Sequence, residues 1–330
     1  MRILITGITG FVGGFLARDL SSRGHEVWGT HFPHTRPLPP GVDKKRLRLC
    51  DLLDEECVWE FLRETRPEAV IHLAALSFVQ ESLQYPVRAY ETNLLGTVRL
   101  YEGLLRLGGC GRVLFIGSGD VYGRPRFRRA PLAGGKVNEE APFLPQNPYS
   151  ASKAAADLAS YEAFRSRNLP VVRVRPFNHT GPGQSDRFVV SEFAHLIAQI
   201  EAGKHPSVIK VGNLRAKRDF SDVRDVVRAY RLLLWKGEPG EAYNVCSGRV
   251  RTIGEVLRTL LSMTRAKIEV EVDPAKFRPA DEDFLPGSFA KLKRLTGWTV
   301  RIPFRKTLAD VLNYWRKIER PRSHRGEKGD

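Results

Sequence analysis

The chain has 330 residues, 42% hydrophobic and 27% charged, with a formal net charge of +16. That length carries one large or two modest domains with a sizeable core. The composition excludes a disordered chain, and no apolar run reaches the ~18 residues of a membrane span.

The positive charge is spread along the sequence, with clusters in "GRPRFRR" and in the tail "ERPRSHRGEKGD". No aromatic interleaving or nucleic-acid motif accompanies it, so it reads as an Arg-rich solvated surface that also attracts anions. The start, "MRILITGITG", lacks the h-region and cleavage site of a secretory leader. Cys50, Cys57, Cys110 and Cys246 form no C-x-x-C pair and no zinc-spaced set. The expectation is a cytoplasmic protein with reduced thiols and no metal, membrane or nucleic-acid partner.

In chain order, "RILIT" is followed by the helical pattern "FVGGFLARDLSSRG" and then "HEVWGTHF"; "ECVWEFLRETRP" leads to "AVIHLAAL"; "NLLGTVRLYEGLLRL" leads to "RVLFIGS"; and "NPYSASKAAADLASYEAFRSRN" leads to "VVRVRP". Strand and helix alternating this way give βαβ units, and the near-continuous apolar strands fit a parallel sheet buried on both faces. The fold class expected is α/β, a Rossmann-type doubly wound parallel sheet over 1–176, with a smaller C-terminal substrate-binding domain over 177–320. Part of 215–248 returns to the sheet, and 321–330 form a disordered tail.

Gly7, Gly10 and Gly13 stand in G-x-x-G-x-x-G spacing between the first strand and the first helix. The first allows a tight turn, the second lets backbone amides approach a pyrophosphate, and the third lets the helix pack closely on the sheet. Thr9, Phe11 and Val12 lie within the same dinucleotide turn. At the end of the second strand a carboxylate would repel a 2′-phosphate. Here His31 and then Arg36 follow, which favours NADP, with NAD as the alternative. Asp51, followed by Leu52, ends the third strand and meets either the adenine or the N-terminus of the next helix as its cap. Leu73, Ala74 and Ala75 line the far side of the cofactor. His72 and His179 have no partners at metal spacing and are expected to be structural.

Tyr149 and Lys153 are four residues apart and share a helix face. Asn147 can cap that helix, and Pro148 suits its first turn. A lysine charge beside a tyrosine lowers the phenol's pKa and tunes it for proton transfer. Upstream, Ser118 ends an apolar run in "GSGDVYG".

The glycine turn, "GSGDVYG", "NPYSASK" and "RPFNHTGPGQ" together resemble the extended short-chain dehydrogenase/reductase family over nearly the whole chain. Within it, "SGDVYG", "RPFNHTGPGQ", "KRDFSDVRDV" and "YNVCSG" are most similar to the GDP-4-keto-6-deoxy-mannose reductases, relatives of the GDP-mannose 4,6-dehydratases. The resemblance implies a catalytic set of Ser118, Tyr149 and Lys153. Ser118 would orient a sugar carbonyl and Tyr149 would protonate it. It implies substrate contacts from Ser77, Ser118, Gly119, Asn178, Arg218, Arg278 and Glu282, with Val208 and Lys210 beside the base, and a homodimer.

In the dehydratases the two positions after the catalytic Ser or Thr carry proton-transfer groups, ending in Glu. Here they are Gly119 and Asp120. Glycine does no acid–base work, and Asp is one methylene short, a misplacement near 1 Å that can cost about a hundredfold in rate. Asp120 is either catalytic or a turn cap, and Glu139 or Glu140 could supply a carboxylate from a loop. The expected activity is NAD(P)H-dependent reduction of a nucleotide-linked 4-keto-6-deoxy sugar to GDP-rhamnose. The alternatives are a GDP-mannose 4,6-dehydratase, a nucleotide-sugar 4-epimerase and, outside catalysis, a dinucleotide-sensing protein.

Overall fold

A computed structural model of the chain describes residues 1–32, 42–123, 135–277 and 286–320. Arg36, Arg278, Glu282 and the expected tail 321–330 lie outside the described residues.

The first half runs β1 (Arg2–Thr6), α1 (Phe11–Ser21), β2 (Glu26–His31), β3 (Leu47–Leu49), α2 (Glu55–Thr65), β4 (Ala69–His72), α3 (Val79–Gln84), α4 (Pro86–Tyr90), α5 (Gly96–Arg106), β5 (Arg112–Ile116), α6 (Pro148–Arg167) and β6 (Val171–Pro176). The rest runs β7 (His179–Thr180), α7 (Val189–Glu201), β8 (Val208–Val211), β9 (Lys217–Asp219), β10 (Ser221–Asp222), α8 (Val223–Lys236), β11 (Ala242–Val245), β12 (Val250–Thr252), α9 (Ile253–Leu261), β13 (Glu269–Val272), α10 (Ala290–Thr296) and α11 (Phe304–Glu319).

Seven parallel strands form the main sheet in the order β11-β6-β5-β4-β1-β2-β3. The register pairs Ile3 with Val27 on one side and with Ala69 on the other. Both faces are covered. Leu16, Leu20, Val226, Tyr230, Leu233 and Trp298 pack on one. Phe61, Leu62, Leu100, Tyr101 and Leu104 pack on the other. The direction of strand addition reverses between β1 and β4, and in such sheets ligands bind at the carboxyl ends of the strands that flank the reversal.

The chain divides into two compact units. One holds 1–179, 218–250 and 283–301; the other holds 180–217, 251–282 and 302–330. Residues 286–301, expected in the C-terminal domain, group with the sheet unit because Leu292 and Trp298 are buried in its core. Within the second unit α7 packs on α9 and α11. His195 on α7 stacks on Trp315 of α11 at 3.9 Å, with its ring nitrogens 3.0 Å from Asp186 Oδ2 and 2.9 Å from Glu319 Oε1. β8 and β13 pair in parallel there. Among the described residues no helix is long and apolar enough to cross a membrane, and no three His, Cys, Asp or Glu side chains are grouped to hold a metal.

Candidate active site

The glycine turn leaves β1 at the sheet's reversal point. Gly7 has φ +70°, and a Cβ there would lie 3.0 Å from the Ala74 backbone. A Cβ on Gly13 would lie 2.5 Å from the Ile8 carbonyl oxygen. Each contact is to backbone, which cannot swing aside, so these positions exclude side chains. The cradle fits the pyrophosphate of a dinucleotide at the N-terminus of α1.

Thr6 and His72 hold the turn against the end of β4. The Ala74 N–H donates to Thr6 Oγ1 at 3.1 Å, and Thr6 Oγ1 lies 2.7 Å from His72 Nδ1. On the other side of the ring His72 Nε2 is 2.9 Å from Thr97 Oγ1, whose hydroxyl donates to the Asn93 carbonyl at 2.6 Å. With Thr97 donating onward, Nε2 carries the proton and Nδ1 accepts from Thr6. Burial, with Lys153 nearby, lowers the His72 pKa to about 3, so the ring is neutral. The structural role expected of His72 is therefore a specific one: it ties the glycine turn to α5. His179 Nδ1 donates to the Phe177 carbonyl at 3.0 Å, and the ring stacks on Phe11 at 6.3 Å beside that turn.

His31 stands at the end of β2, as expected, and Leu73, Ala74 and Ala75 follow β4. The expected cap role of Asp51 is corrected. Asp54 caps α2 by accepting from the Cys57 N–H, whereas Asp51 closes the preceding turn by accepting from the Leu53 N–H at 2.9 Å. Leu52 is buried against Gly96 in the core. Ser77 is exposed. Val208 and Lys210 belong to β8 in the second unit.

The catalytic-type residues come together at the ends of β5 and α6. Ser118 is buried and accepts from the Asp120 N–H at 3.1 Å, opening a one-turn 3-10 helix over Gly119–Tyr122. Its hydroxyl favours ionisation of the Tyr149 phenol. Asn147 caps α6 through the Ser150 N–H at 2.8 Å, with Pro148 in the first turn. Helix spacing then sets Lys153 one turn beyond Tyr149, only 4% exposed, its Nζ 5.1 Å from the centre of the Phe115 ring.

The electrostatics correct one expectation. The Tyr149 pKa is raised, by burial first and then by the Asp120 carboxylate, and the Ser118 hydroxyl only partly offsets them. Lys153 is itself lowered to about 8 by burial, with Asp157 pulling the other way. Burial and the Asp120 carboxylate thus outweigh any pull from the lysine one turn away. At about 8 Lys153 still carries its proton at neutral pH, while Tyr149 stays a neutral phenol, the form that gives a proton.

Several supports were invisible in the sequence. Asn93 sits in a π-helical turn over Glu91–Leu95 and clasps Leu76 through both backbone groups (2.8 and 3.0 Å) while donating to Ser152 Oγ at 2.9 Å. Such turns recur at functional sites. Ser82 Oγ accepts from the Tyr149 N–H at 3.1 Å. Behind Lys153, Asp157 is wholly buried between Arg173 (2.7 Å) and Arg175 (two bonds of 2.9 Å), and Arg175 also donates to Tyr122 Oη at 2.8 Å. Their signal in the sequence was an unusual density of charge on strand β6.

Gly119 has a reason that sequence did not show. A Cβ there would lie 2.7–2.9 Å from three atoms of the Phe177 ring. Glu139 is not free to swing into the site: its Oε1 accepts from the Asn244 N–H at 2.8 Å, and its carbonyl accepts from Arg175. Glu140 is exposed. Asn178 accepts from the Ser221 N–H at 2.9 Å through its carbonyl, and Arg218 lies half-buried on β9.

A parallel sheet with a glycine cradle at its reversal point and a Ser–Tyr–Lys set at the neighbouring strand ends is the arrangement of an extended short-chain dehydrogenase/reductase, an NAD(P)-dependent oxidoreductase. The family model described as GDP-mannose 4,6 dehydratase matches residues 4–311. The chain belongs to that family. It is 37% identical to the GDP-6-deoxy-D-mannose reductase of Pseudomonas aeruginosa over 95% of its length and 97% of the relative's. It is 28% identical to the GDP-mannose 4,6 dehydratase of Homo sapiens over 94% of its length and 90% of the relative's. The structure of RMD from Pseudomonas aeruginosa complexed with NADPH superposes with a TM-score of 0.83 at 35% identity, covering 96% of this chain and 99% of that one.

Proposed function

We propose that this protein reduces GDP-4-dehydro-6-deoxy-D-mannose to GDP-D-rhamnose with NADPH, used at least as well as NADH. The observation that carries the choice is the Ser118–Gly119–Asp120 turn, in which the Phe177 ring leaves no space for a side chain at 119. When bound, the reduced nicotinamide supplies the hydride. Gly7, Gly10 and Gly13 would hold its dinucleotide by backbone amides, with Thr9, Phe11, Val12, Leu73, Ala74 and Ala75 around it. The absence of an acid at His31 and Arg36 admits a 2′-phosphate.

Reduction then needs a polarised carbonyl and one proton. Ser118 donates to the sugar carbonyl oxygen, and Tyr149, kept neutral by burial and by Asp120, gives its proton to that oxygen. Lys153 steadies the phenolate as it forms. Elimination of water would also require a base and an acid on the sugar. Gly119 offers neither, and Glu139 is tied to the Asn244 backbone.

NMR of the products formed from GDP-4-dehydro-6-deoxy-D-mannose and NADPH tests this. GDP-D-rhamnose is expected. An unchanged keto sugar, or a 4-epimer formed without net cofactor oxidation, refutes it.

Two further assignments follow. The apolar side chains of Val87 and Tyr90 on α4 and of Leu158 and Tyr161 on α6 are exposed, with Val87 at 68%, and the two helices pack side by side. An exposed apolar patch of this kind marks a protein interface, and a second copy of the chain is the occupant proposed. Light scattering should give twice the chain mass, and Leu158→Glu should give a monomer. The four free thiols support a reducing, cytoplasmic location, which fractionation checks.

A further inference from the structure

Asp219 carries a buried carboxylate that takes no part in hydride or proton transfer. It ends β9, where exposure falls from Lys217 through half-buried Arg218 to fully buried Asp219. Successive strand side chains face opposite ways. The inward turn of Asp219 therefore sets the opposite direction for Arg218.

Four donors converge on this carboxylate. The Ser247 N–H (2.8 Å) and the Ser247 hydroxyl reach Oδ1, and the N–H groups of Gly248 (2.9 Å) and Gly287 (3.2 Å) reach Oδ2. Burial raises the Asp219 pKa, and the four donors offset that only in part. Only an ionised carboxylate accepts from all four at once.

The hub is packed as tightly as it is bonded. Gly248 has φ +71°, and a Cβ on Gly287 would lie 2.7 Å from both Cys246 Sγ and Phe177 Cζ. The Phe177 ring that abuts Gly287 is the one that abuts Gly119. One carboxylate thus fixes the end of β9, the turn after β11 and the segment at Gly287, and a single ring joins that cluster to the turn holding Ser118.

We propose that Asp219 is a positioning residue for the diphosphate of the substrate, acting through Arg218. A guanidinium recognises phosphate oxygens in a planar, bidentate geometry and gains from a fixed approach. Asp219 supplies that fixity by clamping the strand end from behind. The inference rests on the nucleotide-linked substrate proposed above.

The test compares Asp219→Asn, Ser247→Ala, Arg218→Ala and the Arg218→Ala/Asp219→Asn pair as full-length enzymes saturated with NADPH. An amide cannot accept from donors on both of its ends, so Asp219→Asn should raise KM for the nucleotide sugar about tenfold to a hundredfold, the loss expected when a charged hydrogen-bond set is broken. kcat should change less than about threefold, and NADPH affinity should hold, the pattern of lost uniform binding. In the Arg218→Ala background the same change should add less than about twofold. An equal KM penalty with or without Arg218, or a fall in kcat at constant KM, overturns the proposal. If Asp219→Asn does not fold, Ser247→Ala carries the same decision with a smaller rise in KM.

Thermal melts with added GDP separate this from a failure of the substrate reading. If the wild type turns over no nucleotide-linked keto sugar yet GDP raises its Tm, the reaction is misassigned; loss of that Tm rise in Asp219→Asn still supports the clamp, and its retention refutes the clamp.

Discussion

Two glycine-bearing turns follow strands of the same sheet, and they owe their glycines to different causes. After β1, Gly7 and Gly13 are demanded by backbone: the Ala74 main chain at 3.0 Å and the Ile8 carbonyl at 2.5 Å. After β5, Gly119 is demanded by one side chain, the Phe177 ring at 2.7 Å. The first constraint is local and repeats in spacing; the second arises only when β6 is laid beside β5. A turn fixed by backbone serves any dinucleotide enzyme. A turn fixed by one distant ring can distinguish one reaction from another.

The largest expected effect concerns the chemistry that the second turn serves. Tyr149→Phe should lower kcat by about 10²–10⁴ while NADPH binding, measured by fluorescence, is retained. Near-normal turnover would remove Tyr149 from the mechanism and detach the second turn from catalysis.

The contrast itself is broken or sharpened by rescue. Gly13→Ala and Gly119→Ala should each cost about 1–3 kcal/mol, as overpacking does. Measured against Phe177→Ala alone, Gly119→Ala should then cost little, because the obstacle is a side chain. No truncation should recover Gly13→Ala. Melts of the single and double variants decide it, and equal behaviour at the two turns would erase the distinction.

A smaller effect concerns charge. The Lys153 pKa is lowered to about 8 from 10.5. Between those values the unfolded chain binds more protons than the folded one, so this group's contribution to stability rises with pH across that window and is unfavourable below it. Lys153→Met should therefore be more stable than wild type at pH 7, by about 1–3 kcal/mol, although inactive. The wild-type reduction rate should fall as pH passes upward through about 8, where Lys153 loses its proton. A Lys153→Met protein less stable than wild type at pH 7 would show that the charge is held favourably.

The smallest effect falls on the first turn's ligand. NADPH should be used at least as well as NADH, by kcat/KM, and the preference should weaken with salt. A tenfold preference for NADH would mean that His31 and Arg36 do not meet a 2′-phosphate.

Much of this was legible in the sequence for a physical reason. Apolar runs buried on both faces, such as "RVLFI", announce parallel strands. Glycine spacing announces a backbone constraint, and Asn147–Pro148 announces the start of α6. What could not be read depends on residues far apart in the chain. The His72–Thr6–Thr97 chain, the Asn93 clasp on Leu76, the Asp157–Arg175 pair behind Lys153 and the Phe177 wall over Gly119 all need the fold to bring them together. The direction of the Tyr149 shift failed for the same cause: spacing shows the lysine but not the depth of burial or the approach of Asp120.

The central claim is that this turn supports reduction and not dehydration. The direct measurement is a side-by-side assay of one purified preparation, with GDP-mannose plus catalytic NADP⁺ in one tube and GDP-4-dehydro-6-deoxy-D-mannose plus NADPH in the other. Rapid formation of GDP-D-rhamnose is expected in the second and almost no keto sugar in the first. Fast accumulation of the 4-keto-6-deoxy product from GDP-mannose, with weak reduction of that product by NADPH, would contradict it.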